Sequence, residues 1–105
     1  MKNSVNIAII GLGQIGIYLY NELRSKKKEI ERKTGKKIII AAISAKNKNK
    51  KRNFQIQKNI FFKKPLQIFK KKKIDILFEC IGLSDGISKK IVETALKNKI
   101  HVITP

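Results

Sequence analysis

The sequence predicts an α/β fold, a doubly wound parallel sheet of about five strands in the order 3-2-1-4-5. Three observations predict it. Short isoleucine-rich runs recur along the chain, and helical or loop segments of a dozen or more residues separate them. The first run leads straight into glycines at 11, 13 and 16, and a helical pattern follows. Parallel neighbours need crossovers of that length, and right-handed connections then put the switch point between the first and fourth strands.

The first strand is read at Val5-Asn6-Ile7-Ala8-Ile9-Ile10, a nearly continuous β-branched run of the kind covered on both faces of a sheet. The loop Gly11-Leu12-Gly13-Gln14-Ile15-Gly16 completes the strand–turn–helix of a Rossmann-type fold. Gly11 permits the tight turn, Gly13 lets a pyrophosphate approach the backbone, and Gly16 lets the helix lie close to the strand. The first N–H groups of that helix lack intrahelical partners, and its dipole favours an anion there. One helix is expected from Gln14 to about Lys33, with Ile15, Leu19, Leu23 and Ile30 on its inner stripe and Ile17 and Tyr20 beside it. Glu22 and Lys26 form an i,i+4 pair, and Gly35 supplies the stop.

Lys37 to Ile43 is the second buried strand, ending at Ser44-Ala45-Lys46 before a basic loop from Asn47 to Asn53. A short strand is expected at Asn59-Ile60-Phe61-Phe62. Pro65 starts a short helix, with Leu66 and either Phe69 or Ile68 inward and Lys70 to Lys73 at its end. The fourth strand is Ile74 to Ile81. Gly82-Leu83-Ser84-Asp85-Gly86 turns into a helix capped by Ser84 or Asp85, with Ile87, Ile91 and Ala95 on one line and Val92 and Leu96 beside it. Ile100 to Ile103 is the fifth strand, and Thr104-Pro105 follows.

The 105 residues are expected to form one domain, 1–105, burying roughly two-thirds of the chain surface. No stretch approaches the ~20 apolar residues of a membrane span. With a single cysteine, Cys80, and no evident signal peptide, the expected location is cytoplasmic. The formal charge of +18 invites a nucleic-acid reading, which composition disfavours. Only Arg24, Arg32 and Arg52 among the 25 basic residues are arginine, and abundant Lys, Ile and Asn match A+T-rich codons. A specific nucleic-acid site more often uses arginine for bidentate contacts. Phe54, Phe61, Phe62 and Phe69 among lysines superficially suggest base stacking, but core anchoring is the expected role.

The end of the second strand selects the cofactor. An NAD site places Asp or Glu there for the ribose 2′-OH, and an NADP site places a cation for the 2′-phosphate. Ser44-Ala45-Lys46 carries no acid, and none occurs between Glu31 and Asp75. NADP is therefore the favoured cofactor and NAD the alternative, with Lys46 as the cation and the Ser44 hydroxyl beside it. Cys80 reads as a small buried hydrophobe and His101 as an outward strand residue. Glu79 and Asp85 lie near the cofactor mouth. The residues show no catalytic set and no metal-spaced cluster.

With these residues in place, the sequence resembles the N-terminal cofactor domain of homoserine dehydrogenases. The glycine loop, Ala42-Ile43-Ser44-Ala45-Lys46, the segment Phe78 to Gly86, and Lys99 to Pro105 occur in the order of that family's motifs, with lysine for arginine at 46. The resemblance implies an oxidoreductase that interconverts L-aspartate 4-semialdehyde and L-homoserine with NAD(P)H, on the route to threonine and methionine. It implies cofactor contacts at Leu12, Gln14, Ile15, Ser44, Lys46, Gly82, Leu83 and Thr104. It also implies that the catalytic domain, with the family's catalytic lysines, lies outside this chain, that the fragment alone is inactive, and that homo-oligomers belong to the full-length enzyme. A stand-alone nucleotide-binding module is the alternative, and a basic nucleic-acid binder the less favoured one.

Overall fold

A computed structural model of the chain describes residues 3–45, 56–81 and 86–104. Its strands are β1 (Ser4–Ile10), β2 (Lys37–Ser44), β3 (Phe61–Phe62), β4 (Ile76–Glu79) and β5 (His101–Ile103). All pair in parallel, in the expected order β3-β2-β1-β4-β5. The helices are α1 (Gln14–Ser25), α2 (Lys27–Thr34), α3 (Ile68–Lys71) and α4 (Gly86–Lys97), with a 3₁₀ turn at Pro65–Gln67 leading into α3. Among the described residues no helix is long and apolar enough to cross a membrane.

The central strand is buried on both sides because its residues alternate between two clusters. Ile7 and Ile9 join Leu12, Tyr20, Ile38 and Ile43 beneath α1, with Leu23 and Ile30 packed alongside. Ala8 and Ile10 join Ala42, Ile68, Leu77, Ile91 and Ala95 beneath α3 and α4. Each fully buried isoleucine or leucine contributes about 1.5–3 kcal/mol relative to exposure, so the two faces carry most of the drive to fold.

Side chains fix the N-terminal rim of the sheet. The Asn6 backbone N–H donates to Asp75 Oδ2 at 2.8 Å, and the Asp75 N–H donates back to the Asn6 carbonyl at 2.8 Å. The Asp75 carbonyl accepts from the His101 N–H at 3.1 Å, so one residue aligns β1, β4 and β5. On the other side, β2 slips against β1: Ile7 faces Ile40 and Ala8 faces Ala42, leaving Ala41 as an extra residue. The Lys37 N–H points to Asn3 on the β1 side, which turns that of Ile38 toward the open edge. There Glu31 Oε2 accepts it at 2.8 Å, capping an edge donor from α2.

Several expectations change. The single helix from Gln14 to Lys33 is two helices, broken at Lys26, whose φ of −101° and ψ of 7° leave the helical region. The break lets Ile30 and Glu31 reach β2. Ile15 is 55% exposed and off the inner stripe. Gly16 and Tyr20 hold that face, and their neighbour Ile15 lies about 100° around the helix. Leu96 is 61% exposed because Ser88, Ile91 and Ala95 take the inner line of α4. Strand β2 is only partly buried, with Ile39 exposed, and β4 is shorter than Ile74 to Ile81. Cys80 is half-buried. Phe61, Phe62 and Phe69 pack against the cores as expected, and Ile68 is the fully buried residue of α3. Phe54 and the loop from Asn47 to Asn53 lie outside the described residues, as do Ser84 and Asp85.

Two stability tests follow. Lys99 sits at φ 59°, a left-handed position after α4 that costs an L residue about 1 kcal/mol or more. Lys99→Gly should raise the unfolding free energy by about 0.5–1 kcal/mol in a denaturant titration, net of the entropy glycine adds to the unfolded chain. The Ile38 N–H, aided by Lys27, holds the Glu31 carboxyl below its ordinary value. A depressed carboxylate stabilises the fold above its unfolded pKa of about 4.3, and this is lost as pH falls through the folded value. The melting temperature of Glu31→Gln should accordingly fall less steeply than the parent's below about pH 4.3; parallel profiles would refute the cap.

Candidate functional site

In a parallel sheet every strand ends on the same side, so the predicted residues fall along one edge. Ser44 ends β2, Gly11 follows β1, Glu79 ends β4 and Thr104 follows β5. Gly11 lies in the middle, and its N–H donates to the Ser44 carbonyl at 2.8 Å. The Cys80 N–H donates to the Ile10 carbonyl at 2.8 Å, which ties the exit of β4 to the same turn.

The three glycines meet different surroundings. Gly11 has φ 99°, and a Cβ there would lie 3.0 Å from the Cys80 carbonyl carbon and 3.1 Å from the Ile81 nitrogen. A Cβ on Gly16 would overlap the Gly11 carbonyl oxygen. A Cβ on Gly13 would meet nothing within 4 Å. Two glycines thus permit backbones to touch, and the third leaves open space at the start of α1.

The α1 N-terminus is bare of side-chain help. Gly13 is its N-cap, no side chain caps it, and its first turn carries no acid. The Ile17 N–H closes the first turn onto the Gly13 carbonyl at 3.0 Å. Gln14 and Ile15 are exposed beside this opening. Free N–H groups, a positive dipole end and vacant space at Gly13 form a cradle for a phosphate-sized anion. A dinucleotide pyrophosphate fits that chemistry.

The remaining predicted residues are distributed unevenly. Leu12 is 5% exposed and belongs to the core beneath α1, so its backbone alone borders the opening. Ser44 and Ala45 are buried at the end of β2, whereas Thr104 is exposed. Lys46, Gly82 and Leu83 lie outside the described residues. His101 is exposed on β5. Burial, and then the charge of Glu79, push the Cys80 thiol up, so it stays protonated and unreactive near neutrality.

Glu79 has a role that residue patterns did not reveal. It is 1% exposed, and its Oε1 accepts the Ile81 N–H at 2.8 Å. The available signal was a lone acid inside the apolar run Phe78-Glu79-Cys80-Ile81. A buried carboxylate persists only where hydrogen bonds compensate its desolvation.

The glycine roles separate in a paired experiment. Gly16→Ala should lose about 3 kcal/mol of stability, since backbone blocks the new methyl. Gly13→Ala should stay within about 0.5 kcal/mol of the parent. Chemical denaturation of both variants checks the difference.

Comparison with known proteins agrees with this geometry. Residues 5–104 match the model of an oxidoreductase family with an NAD-binding Rossmann fold. The homoserine dehydrogenase of Neisseria gonorrhoeae is 33% identical over 100 residues, which are 95% of this chain and 22% of that protein. A homoserine dehydrogenase structure from S. aureus superposes with a TM-score of 0.85 at 33% identity, over 99% of this chain and 26% of that one. The enzyme from Thiobacillus denitrificans gives 0.79 at 26% identity, over 96% of this chain and 23% of that one. The chain therefore spans about a quarter of the length of the relatives it matches. Strand order, glycine geometry and a family match over nearly every residue converge: this chain belongs to the oxidoreductase family with the NAD-binding Rossmann fold.

Proposed function

We propose that the chain is the cofactor-holding part of a homoserine dehydrogenase, an oxidoreductase that exchanges a hydride between NADP(H) and the L-aspartate 4-semialdehyde/L-homoserine couple. The observation that carries this reading is the likeness to homoserine dehydrogenases, 33% identical across 95% of the chain. It coincides with a glycine turn whose open position faces a bare helix N-terminus. The nicotinamide, when bound, supplies the hydride acceptor or donor. This chain's residues hold and orient it.

In this reading the backbone of Gly11, Leu12, Gly13, Gln14, Ile15 and Gly16 receives the pyrophosphate. Ser44, Ala45 and Lys46 border the adenosine ribose, and Gly82, Leu83 and Thr104 border the other half. NADP is favoured over NAD because no acid stands between Glu31 and Asp75 to accept from a free 2′-OH. A dianionic 2′-phosphate gains from Lys46, whereas a ribose hydroxyl does not. The surplus of lysine adds a general attraction for anions that salt screens.

Fluorescence titration of the chain should show NADPH binding about tenfold tighter than NADH, a difference of about 1.4 kcal/mol. Lys46→Glu should remove that preference, and Gly13→Val should weaken both ligands without lowering the melting temperature. Equal affinities in the parent would overturn the NADP assignment. The reaction is tested by joining the chain in frame to the remaining part of a homoserine dehydrogenase relative. The fusion should reduce NADP+ when L-homoserine is added, and no turnover with a bound cofactor would refute the proposed substrate.

A further inference from the structure

We propose that Glu79 is a positioning residue for the bound dinucleotide, its carboxylate holding the Ile81 peptide against which the glycine turn is seated. The inference rests on the dinucleotide reading above. It starts from register. Glu79 and Ile10 are the last paired residues of β4 and β1, and the Cys80 N–H continues that ladder to the Ile10 carbonyl at 2.8 Å. Beyond Cys80 the ladder stops, and the Ile81 N–H turns back to Glu79 Oε1 at 2.8 Å. The Glu79 side chain thus takes over where the sheet no longer supplies an acceptor.

What it holds is the wall of the cradle. The Cβ position of Gly11 is 3.0 Å from the Cys80 carbonyl carbon, 3.1 Å from the Cys80 oxygen and 3.1 Å from the Ile81 nitrogen. Gly11 rests on this peptide, and its own carbonyl touches Gly16 at the start of α1. A displaced Ile81 peptide would therefore shift the turn that receives the pyrophosphate. The location also gives the effect a side. The adenosine ribose is read at the end of β2, so the other half of a dinucleotide crosses the switch point toward β4. Glu79 stands at that end of β4 and is 1% exposed, out of reach of solvent exchange.

Reach and charge can be separated by substitution in the full chain. Glu79→Gln keeps an oxygen at the same reach and should leave amide exchange at Ile81 at the parent's rate and bind NADPH within about twofold of the parent. Glu79→Asp keeps the charge but withdraws it by one methylene. It should speed Ile81 exchange and weaken NADPH by about tenfold, the effect of one lost hydrogen bond. Binding of adenosine 2′-monophosphate, which lacks the pyrophosphate and everything beyond it, should change less than twofold. Unchanged exchange and affinity in Glu79→Asp would overturn the proposal, as would equal weakening of NADPH and adenosine 2′-monophosphate. If Glu79→Asp does not fold, Glu79→Gln is read against Glu79→Met, which keeps the length without the oxygen: Glu79→Met should speed Ile81 exchange and weaken NADPH while Glu79→Gln does neither, and equal behaviour of the two overturns the proposal. A parent chain that binds no NADPH refutes the dinucleotide reading instead, and Ile81 exchange still reports whether Glu79 holds the peptide.

Discussion

The close approach of three backbone segments around Gly11 is the constraint on which the edge of the sheet depends. Its N–H is fixed by the Ser44 carbonyl, its α-carbon backs onto the Cys80–Ile81 peptide, and its carbonyl meets Gly16 of α1. No side chain fits among them. At Gly11 the turn therefore joins β2, β4 and the first helix through main-chain contacts, and a displacement at one is felt at the others. Gly13 differs because it faces vacant space at the α1 N-terminus. Packing explains two of the three glycines, and access explains the third.

Charge is organised by the same need to satisfy backbone groups. Three of the seven acids accept a main-chain N–H where a ladder ends or an edge is open: Glu31 from Ile38, Asp75 from Asn6 and Glu79 from Ile81. Glu22 and Glu29 instead make i,i+4 pairs with Lys26 and Lys33 at 3.1 and 3.2 Å. Exposed pairs of this kind contribute only about 0.3–0.5 kcal/mol each. Most of the described lysines are exposed, so their positive charge is spread over the surface rather than gathered at the glycine turn. That division suits the proposed role, in which a bare helix end receives an anionic ligand and a diffuse field attracts it.

Much of the architecture was legible in residue order. The Ile7 to Ile10 run, the glycine spacing and the stop at Gly35 are local signals, and the parallel order followed from crossover length. Other features were hidden because they depend on what lies opposite. Ile15 matches a helical stripe by spacing, yet Gly16 must face the Gly11 carbonyl and so turns Ile15 outward. The break at Lys26 has no proline or glycine to announce it. Leu96, read beside the inner line of Ile91 and Ala95, is exposed, whereas Ser88, which spacing did not single out, is buried.

The sequence by itself determined the fold class and the position of the glycine turn, which arise from periodicity and from backbone conformations written within a few residues, and the strand order, which follows from the length and handedness of parallel crossovers. Only the tertiary structure decided that Gly16 guards a carbonyl while Gly13 stands open, that Ala41 is the extra residue of β2, and that Glu79 is buried beneath the turn. The physical reason is common to all three. Each depends on how closely a segment distant in the chain approaches, and neither spacing nor composition encodes that distance.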